Sequence, residues 1–296
     1  MALSRRNRFA YTLVLPSVVL LMLLNLLPLA EGVITSLQNQ LLTDPNRDAF
    51  VGFKHYYDAL FVESDFWGSL GKTCVWTVGS VAGGYVVGLA LALLLNLDIR
   101  LRNFFRAIFL IPWVMPDVVG ALIWKWLYND DYGVINYLLR QAHIIHGSIH
   151  WISSVQTAMI SVILVQVWKL YPLMTVVLLA ALQNVPKELH EAAALDGAGR
   201  MQRFWYVTLP LIRTSSISIT LLAGIWTFQN FDLVYLLTGG GPSQATMVLP
   251  TFIYQQAFFV LNMGYATALG VLLLLVILIF SSAYLLITRP NSEEAA

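Results

Sequence analysis

Long uncharged runs set the pattern of this chain. Residues 9–30 carry no charge, and neither do residues 73–97. A run of about 20 apolar residues is long enough to cross a bilayer's hydrocarbon core as a helix. By that measure six spans are predicted, near 10–35, 73–97, 105–127, 156–182, 214–237 and 264–288. The third carries Asp117, the fourth Lys169 and the fifth Asp232. The intervening segments differ in kind. Residues 36–71 are polar and aromatic, and residues 128–155 contain His143, His146 and His150. Gly239-Gly240-Gly241-Pro242 is a stop signal for the fifth span.

Composition fits that pattern. Only 11% of residues are charged and 58% are hydrophobic, with a mean hydropathy of +0.71. A soluble domain carries about 25% charged residues, so this chain lacks the charge to cover a water-facing surface. The expected fold class is all-α integral membrane, six transmembrane helices forming one domain over 1–296. A net charge of +1 leaves no basic footprint for nucleic acid. The single cysteine, Cys74, excludes an intrachain disulfide. The Arg-rich start resembles a signal peptide, but its apolar run is long enough to span and no small-x-small cleavage site follows a short core.

The positive-inside rule orients the spans. With the N-terminus inside, the inner segments hold Arg5, Arg6, Arg8, Arg100, Arg102, Arg106, Lys187, Arg200, Arg203, Arg213 and Arg289. The outer ones hold Arg47, Lys54, Lys72, Lys125 and Arg140. Eleven against five puts both termini, and residues 183–213, in the cytoplasm.

That cytoplasmic loop is dense in charge: Glu188, Glu191, Asp196, Arg200 and Arg203. Asn184-Val185-Pro186 reads as a helix start, with proline in the first turn. The run 188–196 is rich in helix formers, and Gly197 can end it in the left-handed conformation. Three consecutive alanines, Ala192 to Ala194, make the helix thin enough for another protein to approach closely. A second helix near 200–208 is predicted to stop at Pro210. Without further information the loop also reads as a solvated connector.

Within the spans, ionisable groups cost about 2.5–3.5 kcal/mol each at a helix centre, so they face the bundle interior. Two readings of Lys169 stay open: an ion pair with Asp232 that fixes the fourth and fifth spans, or a binding group for an acidic substrate. Gln166, Lys169, Leu170 and Leu173 share one helical face, as do Ala223, Trp226, Thr227 and Asn230. Each face mixes amide or hydroxyl groups with apolar bulk, a combination that suits a polar small ligand. Plain helix packing is the other reading. In the second span Gly79, Gly83, Gly84 and Gly88 permit close helix approach, within the bundle or at a partner.

Other chemistry is absent from the pattern. Gly71-Lys72-Thr73 looks like the end of a phosphate-binding loop, but Phe66 stands where the first glycine belongs. His190-Glu191 is no zinc motif, because Ala194 occupies the second histidine position. The three histidines of 128–155 suit a wet loop better than a metal site, since Gly147 weakens any helix that would align them. No catalytic triad or carboxylate pair stands out.

Glu191-Ala192-Ala193, then Gly197, then nine residues before Val207-Thr208-Leu209-Pro210, resembles the EAA loop of ABC importer permeases. "FVGFKHYYDALFVESDFWGSLGKT" (50–73), "WKLYP" (168–172) and "FDLVYLLTGGGP" (231–242) resemble the MalF-like branch of carbohydrate permeases, so the likeness covers roughly residues 10–288. The maltose permease itself has two additional N-terminal spans and a large outer domain that this chain lacks. The resemblance implies the type I importer fold in a bacterial inner membrane. It implies a second MalG-like permease, two ATPase subunits that bind ATP and Mg, and an extracytoplasmic solute-binding protein. It assigns Glu191, Ala192, Ala193, Asp196, Gly197 and Ala198 to the contact with the ATPase, and no cofactor or catalysis to this chain. By the same likeness Gln166, Lys169, Leu170, Leu173, Trp226, Thr227 and Asn230 are the expected sugar contacts. A rival reading is a stand-alone secondary transporter or channel, with Lys169, Asp117 and Asp232 as an ion relay.

Overall fold

The computed structural model describes residues 5–44, 49–97, 100 and 102–288. Arg47 and Arg289, which enter the charge bias above, lie outside them. The principal helices are α1 (Arg5–Ser36), α2 (Asp65–Asn96), α3 (Arg102–Val114), α4 (Asp117–Leu127), α5 (Val134–Gln141), α6 (Val155–Gln183), α7 (Lys187–Leu195), α8 (Arg213–Gln229), α9 (Asp232–Thr238), α10 (Leu249–Phe258) and α11 (Met263–Thr288). Among the described residues, four helices are long and apolar enough to cross a membrane, or up to six if each of two bent pairs counts as one span.

The bends correct the expectation of simple spans. The third is two helices, α3 and α4, turned 96° at Met115-Pro116. Proline lacks an amide donor and biases the residue before it away from helix, and Pro116 is itself extended at ψ 142°. The fifth ends at Asn230, where ψ is 120°, and α9 begins two residues later. The helix expected to stop at Pro210 continues through it to Leu211, then meets α8 at 66°. A π-turn over Phe204–Thr208 accommodates it: the Leu209 amide reaches back five residues to the Phe204 carbonyl, just before the proline.

The chain divides into two compact units. One comprises Met1–Trp67 and Ile253–Val276. In it α1 is exposed from Leu13 to Glu31, as Leu15, Leu21 and Leu24 show, which suits a helix whose surroundings are hydrocarbon rather than water. His55 Nε2 lies 3.1 Å from the Gln38 carbonyl, and Tyr265 donates to Glu63 Oε2 at 2.6 Å. Gly264 sits so near the Gln38 carbonyl that a Cβ would be 2.1 Å from it.

The other unit comprises Gly68–Phe252 and Ile277–Ala296. Its axis is α6, which is 56% buried over its apolar window against 28% for α2. One end of α6 joins an apolar cluster with Leu95, Ile212 and Ile219 around Met174, Leu178 and Leu182. The other joins Trp76, Tyr128, Leu233 and Leu237 around Val162 and Val165. The glycines of α2 explain how two long helices come so close. A Cβ on Gly83 would meet Val167 at 2.6 Å, and one on Gly88 would meet Met174 at 2.7 Å. The glycine stripe therefore packs inside this unit, against α6.

Candidate functional site

The break at Met115-Pro116 and the unwound step at Asn230-Phe231 both approach the same stretch of α6. Ending α3 leaves the Met115 carbonyl without a helical partner, and Lys169 Nζ donates to it at 2.5 Å. The same ammonium lies 2.8 Å from Asp117 Oδ1, at the start of α4. A carboxylate in a first helical turn is also favoured by the helix dipole. Asn230, at the second break, donates from Nδ2 to Asp117 Oδ2 at 3.1 Å, while its Oδ1 accepts from the Leu233 amide at 3.3 Å. One turn along α6, Gln166 Nε2 donates to Thr227 Oγ1 at 3.2 Å.

The partner of Lys169 is therefore Asp117. The expected Lys169–Asp232 pair is absent among the described residues, and Asp232 is exposed at the start of α9. The 96° turn brings Asp117 beside α6, whereas the unwound Asn230-Phe231 step leaves Asp232 solvent-accessible.

These groups border a cavity of about 290 Å³, lined by Trp113, Asp117, Gln166, Lys169, Leu170, Trp226, Gln229 and Asn230. Its wall joins two half-exposed indoles to charged and amide groups, and Gln166 Oε1 is buried without a protein donor. Of the residues expected to share a site, Gln166, Lys169, Leu170, Trp226 and Asn230 line this cavity. Thr227 is fully buried behind Gln166. Leu173 does not join them; it packs on the apolar cluster around Leu178. Trp113 and Gln229 escaped the sequence reading. Gln229 adjoins Asn230 and was accessible to it, but Trp113 reaches the cavity only through the turn after α3.

The loop 183–213 builds a second feature. Pro186 is extended, and α7 follows it without a single buried residue. Its end is a left-handed cap: Gly197 has φ +84°, its amide bonds the Ala194 carbonyl at 3.1 Å, and the Ala198 amide bonds Ala193 at 2.9 Å. These two bonds close a Schellman motif, which needs a residue tolerant of positive φ. Glu191, Ala192, Asp196 and Gly197 are exposed, while Ala193 and Ala198 are half-buried. Leu195 is 90% exposed.

The histidine-containing loop at 128–155 follows a third pattern. His150 Nδ1 and Ser153 Oγ both contact Asp130 Oδ2, at 2.8 and 2.6 Å. Burial raises the Asp130 pKa, but those hydrogen bonds and the histidine's charge outweigh it and hold the carboxyl below its ordinary value. No group of three or more His, Cys, Asp or Glu is placed to hold a metal among the described residues.

Comparison with known proteins follows the same lines. The chain is 35% identical to the sulfoquinovosyl glycerol transport system permease protein SmoG of Agrobacterium fabrum, over 95% of this chain and 91% of that one. It is 34% identical to the trehalose/maltose transport system permease protein MalF of Thermococcus litoralis, over 96% and 95%. Its fold matches a crystal structure of a bacterial ABC transporter that imports the acidic polysaccharide alginate, with TM-score 0.81 at 21% identity over 97% of both chains. Residues 84–290 match the model of the binding-protein-dependent transport system inner membrane component. A six-span helical reading, broken spans lining a polar cavity, and this match together establish that the chain belongs to that family, as a non-catalytic, multi-pass permease of the inner membrane.

Proposed function

We propose that this chain forms one half of the translocation path of an ATP-driven sugar importer. The reading rests on the cavity at the two broken spans. Irregular backbone at membrane depth is tolerated where it lines a cavity, and transporters commonly bind substrate at such discontinuities. Trp113 and Trp226 offer faces for a sugar's C–H surface, while Gln166, Gln229 and Asn230 offer amides for its hydroxyls. Asp117 neutralises Lys169, so the wall is polar without a large net charge, which favours a hydroxylated ligand over a strongly ionic one. The relatives named for sulfoquinovosyl glycerol and trehalose/maltose support the same class.

In this reading both termini and α7 are cytoplasmic, as the charge bias implies, and the six spans act as one permease domain. A second, MalG-like permease completes the path, and an extracytoplasmic solute-binding protein delivers the sugar. Two ATPase subunits, which carry the ATP and Mg, grip α7 through Glu191, Ala192, Ala193, Asp196, Gly197 and Ala198. Closure of the ATPases moves α7, and α6 and α8 transmit that motion to the cavity. The ion relay through Lys169, Asp117 and Asp232 is set aside, because Asp232 does not reach the other two.

The test is uptake into proteoliposomes holding the purified complex, using the ligand identified on its cognate solute-binding protein. Lys169→Ala and Asn230→Ala should each lower uptake at least tenfold with the complex intact. Unchanged uptake in both variants refutes the assignment of the cavity.

A further inference from the structure

A second cavity, also about 290 Å³, lies between α3 and α6. Most of its wall is apolar: Phe109, Leu110, Val176 and Leu179. It runs along α6 from Pro172 to Gln183, roughly 16 Å at 1.5 Å per residue, about half of the ~30 Å hydrocarbon core.

Its end is polar and cationic. Arg106 and Gln183 line it there, and Arg102 lies one turn back on α3. Turned towards them, the Gln183 amide oxygen accepts from Arg102 Nη2 at 2.8 Å and Arg106 Nη2 at 3.0 Å. That single neutral oxygen is what the two guanidinium groups share. Neither meets a carboxylate among the described residues, and the Nε of each is buried without a partner. Buried guanidinium nitrogens left unbonded are costly, and paired guanidinium groups suit phosphate oxygens. The same place is the start of α3, whose dipole also favours an anion.

We propose that this cleft holds one acyl chain of an anionic glycerophospholipid, with its phosphate on Arg102 and Arg106. An apolar slot one leaflet deep, ending in two arginines that meet no carboxylate among the described residues, matches the two parts of that molecule. A free phosphate would leave the apolar length unfilled. A neutral zwitterionic lipid would bring its own cation against the arginines. The lipid would lock α3 to α6 where α6 leads into α7, in a cavity that shares no lining residue with the Lys169 cavity.

Native mass spectrometry of the transporter complex, purified through a tag on this chain, tests the proposal. The detergent-stripped complex is titrated with phosphatidylglycerol, phosphatidylethanolamine or inorganic phosphate. Phosphatidylglycerol should bind at least tenfold tighter than phosphatidylethanolamine. That preference should vanish in Arg102→Gln/Arg106→Gln, survive in Arg106→Lys, and weaken in Ala180→Phe, which fills the slot. If the double variant fails to assemble, the Arg106→Lys and Ala180→Phe comparison decides. Equal binding of the two lipids, a preference untouched by Ala180→Phe, or competition by millimolar phosphate alone overturns it. Because the readout is lipid occupancy, it is independent of whether the transported ligand is a sugar.

Discussion

Lys169 and Asp117 meet at 2.8 Å although they are 52 positions apart in sequence and on different spans. Their contact is made by a break rather than a helix. The carboxylate heads α4, and the same ammonium caps the Met115 carbonyl that the break sets free.

Removing one partner should therefore cost more than removing both. Breaking a fully buried pair costs about 3–5 kcal/mol; with Asp117 partly exposed, Lys169→Met should cost about 1–3 kcal/mol. Lys169→Met/Asp117→Asn should melt above Lys169→Met alone. A double-mutant cycle on the detergent-solubilised chain measures the coupling, and strict additivity would show that the two groups do not interact.

The glycine stripe of α2 gives a steric prediction. At Gly88 a new Cβ would sit 2.7 Å from the Met174 Cβ and 3.2 Å from the Thr175 amide nitrogen, both firmly held. Gly88→Val should destabilise by about 1–3 kcal/mol, the usual cost of overpacking. Gly71→Ala, on the same helix with open space around it, is the control and should leave the melting temperature unmoved.

Separating fold from coupling is possible on α7. Glu191 is exposed, and surface substitutions of this kind stay within about 0.5 kcal/mol. Glu191→Lys should preserve the chain's melting temperature yet abolish transport-coupled ATP hydrolysis in the assembled complex. Full coupling in this variant would remove α7 as the joint. Gly197→Val should instead cost about 1–2 kcal/mol locally, because a β-branched residue resists a positive φ.

Acid should loosen the loop that holds Asp130 and His150. The folded Asp130 pKa lies below the usual carboxylate value, so its contribution is present above that value. It is lost as pH falls through the lowered pKa, below about 3.8. Protection factors of the amides around residues 149–153, corrected for intrinsic exchange rates, should therefore fall in that acid range. Asp130→Asn should already show lower protection at neutral pH and little further loss on acidification.

The sequence carried much of this. Uncharged runs located the spans, because backbone without water must bond to itself as helix. The EAA spacing located α7, and Gly197 ended it as the left-handed cap requires. Helical spacing put Gln166, Lys169 and Leu170 on one wall. Leu173 shared that spacing yet belongs to the core, since a face seven residues long outruns a small cavity. The pairing of Lys169 was illegible for a related reason. Asp117 and Asp232 are equivalent as composition, and the angle at Met115-Pro116 discriminates between them. Likewise Pro210 signals a stop in isolation, and the π-turn that absorbs it depends on backbone register that no local residue type dictates.

Leu195 also bears on how such a protein is made. With half-exposed Leu189 on the same helix and exposed Met201 just beyond it, it leaves a sticky knuckle where α7 buries nothing. If α7 docks on an ATPase as proposed, a copy inserted before its companions are available displays that knuckle to every chaperone and protease nearby. Surplus copies should then be short-lived, so that the supply of motor subunits would limit how many finished transporters accumulate.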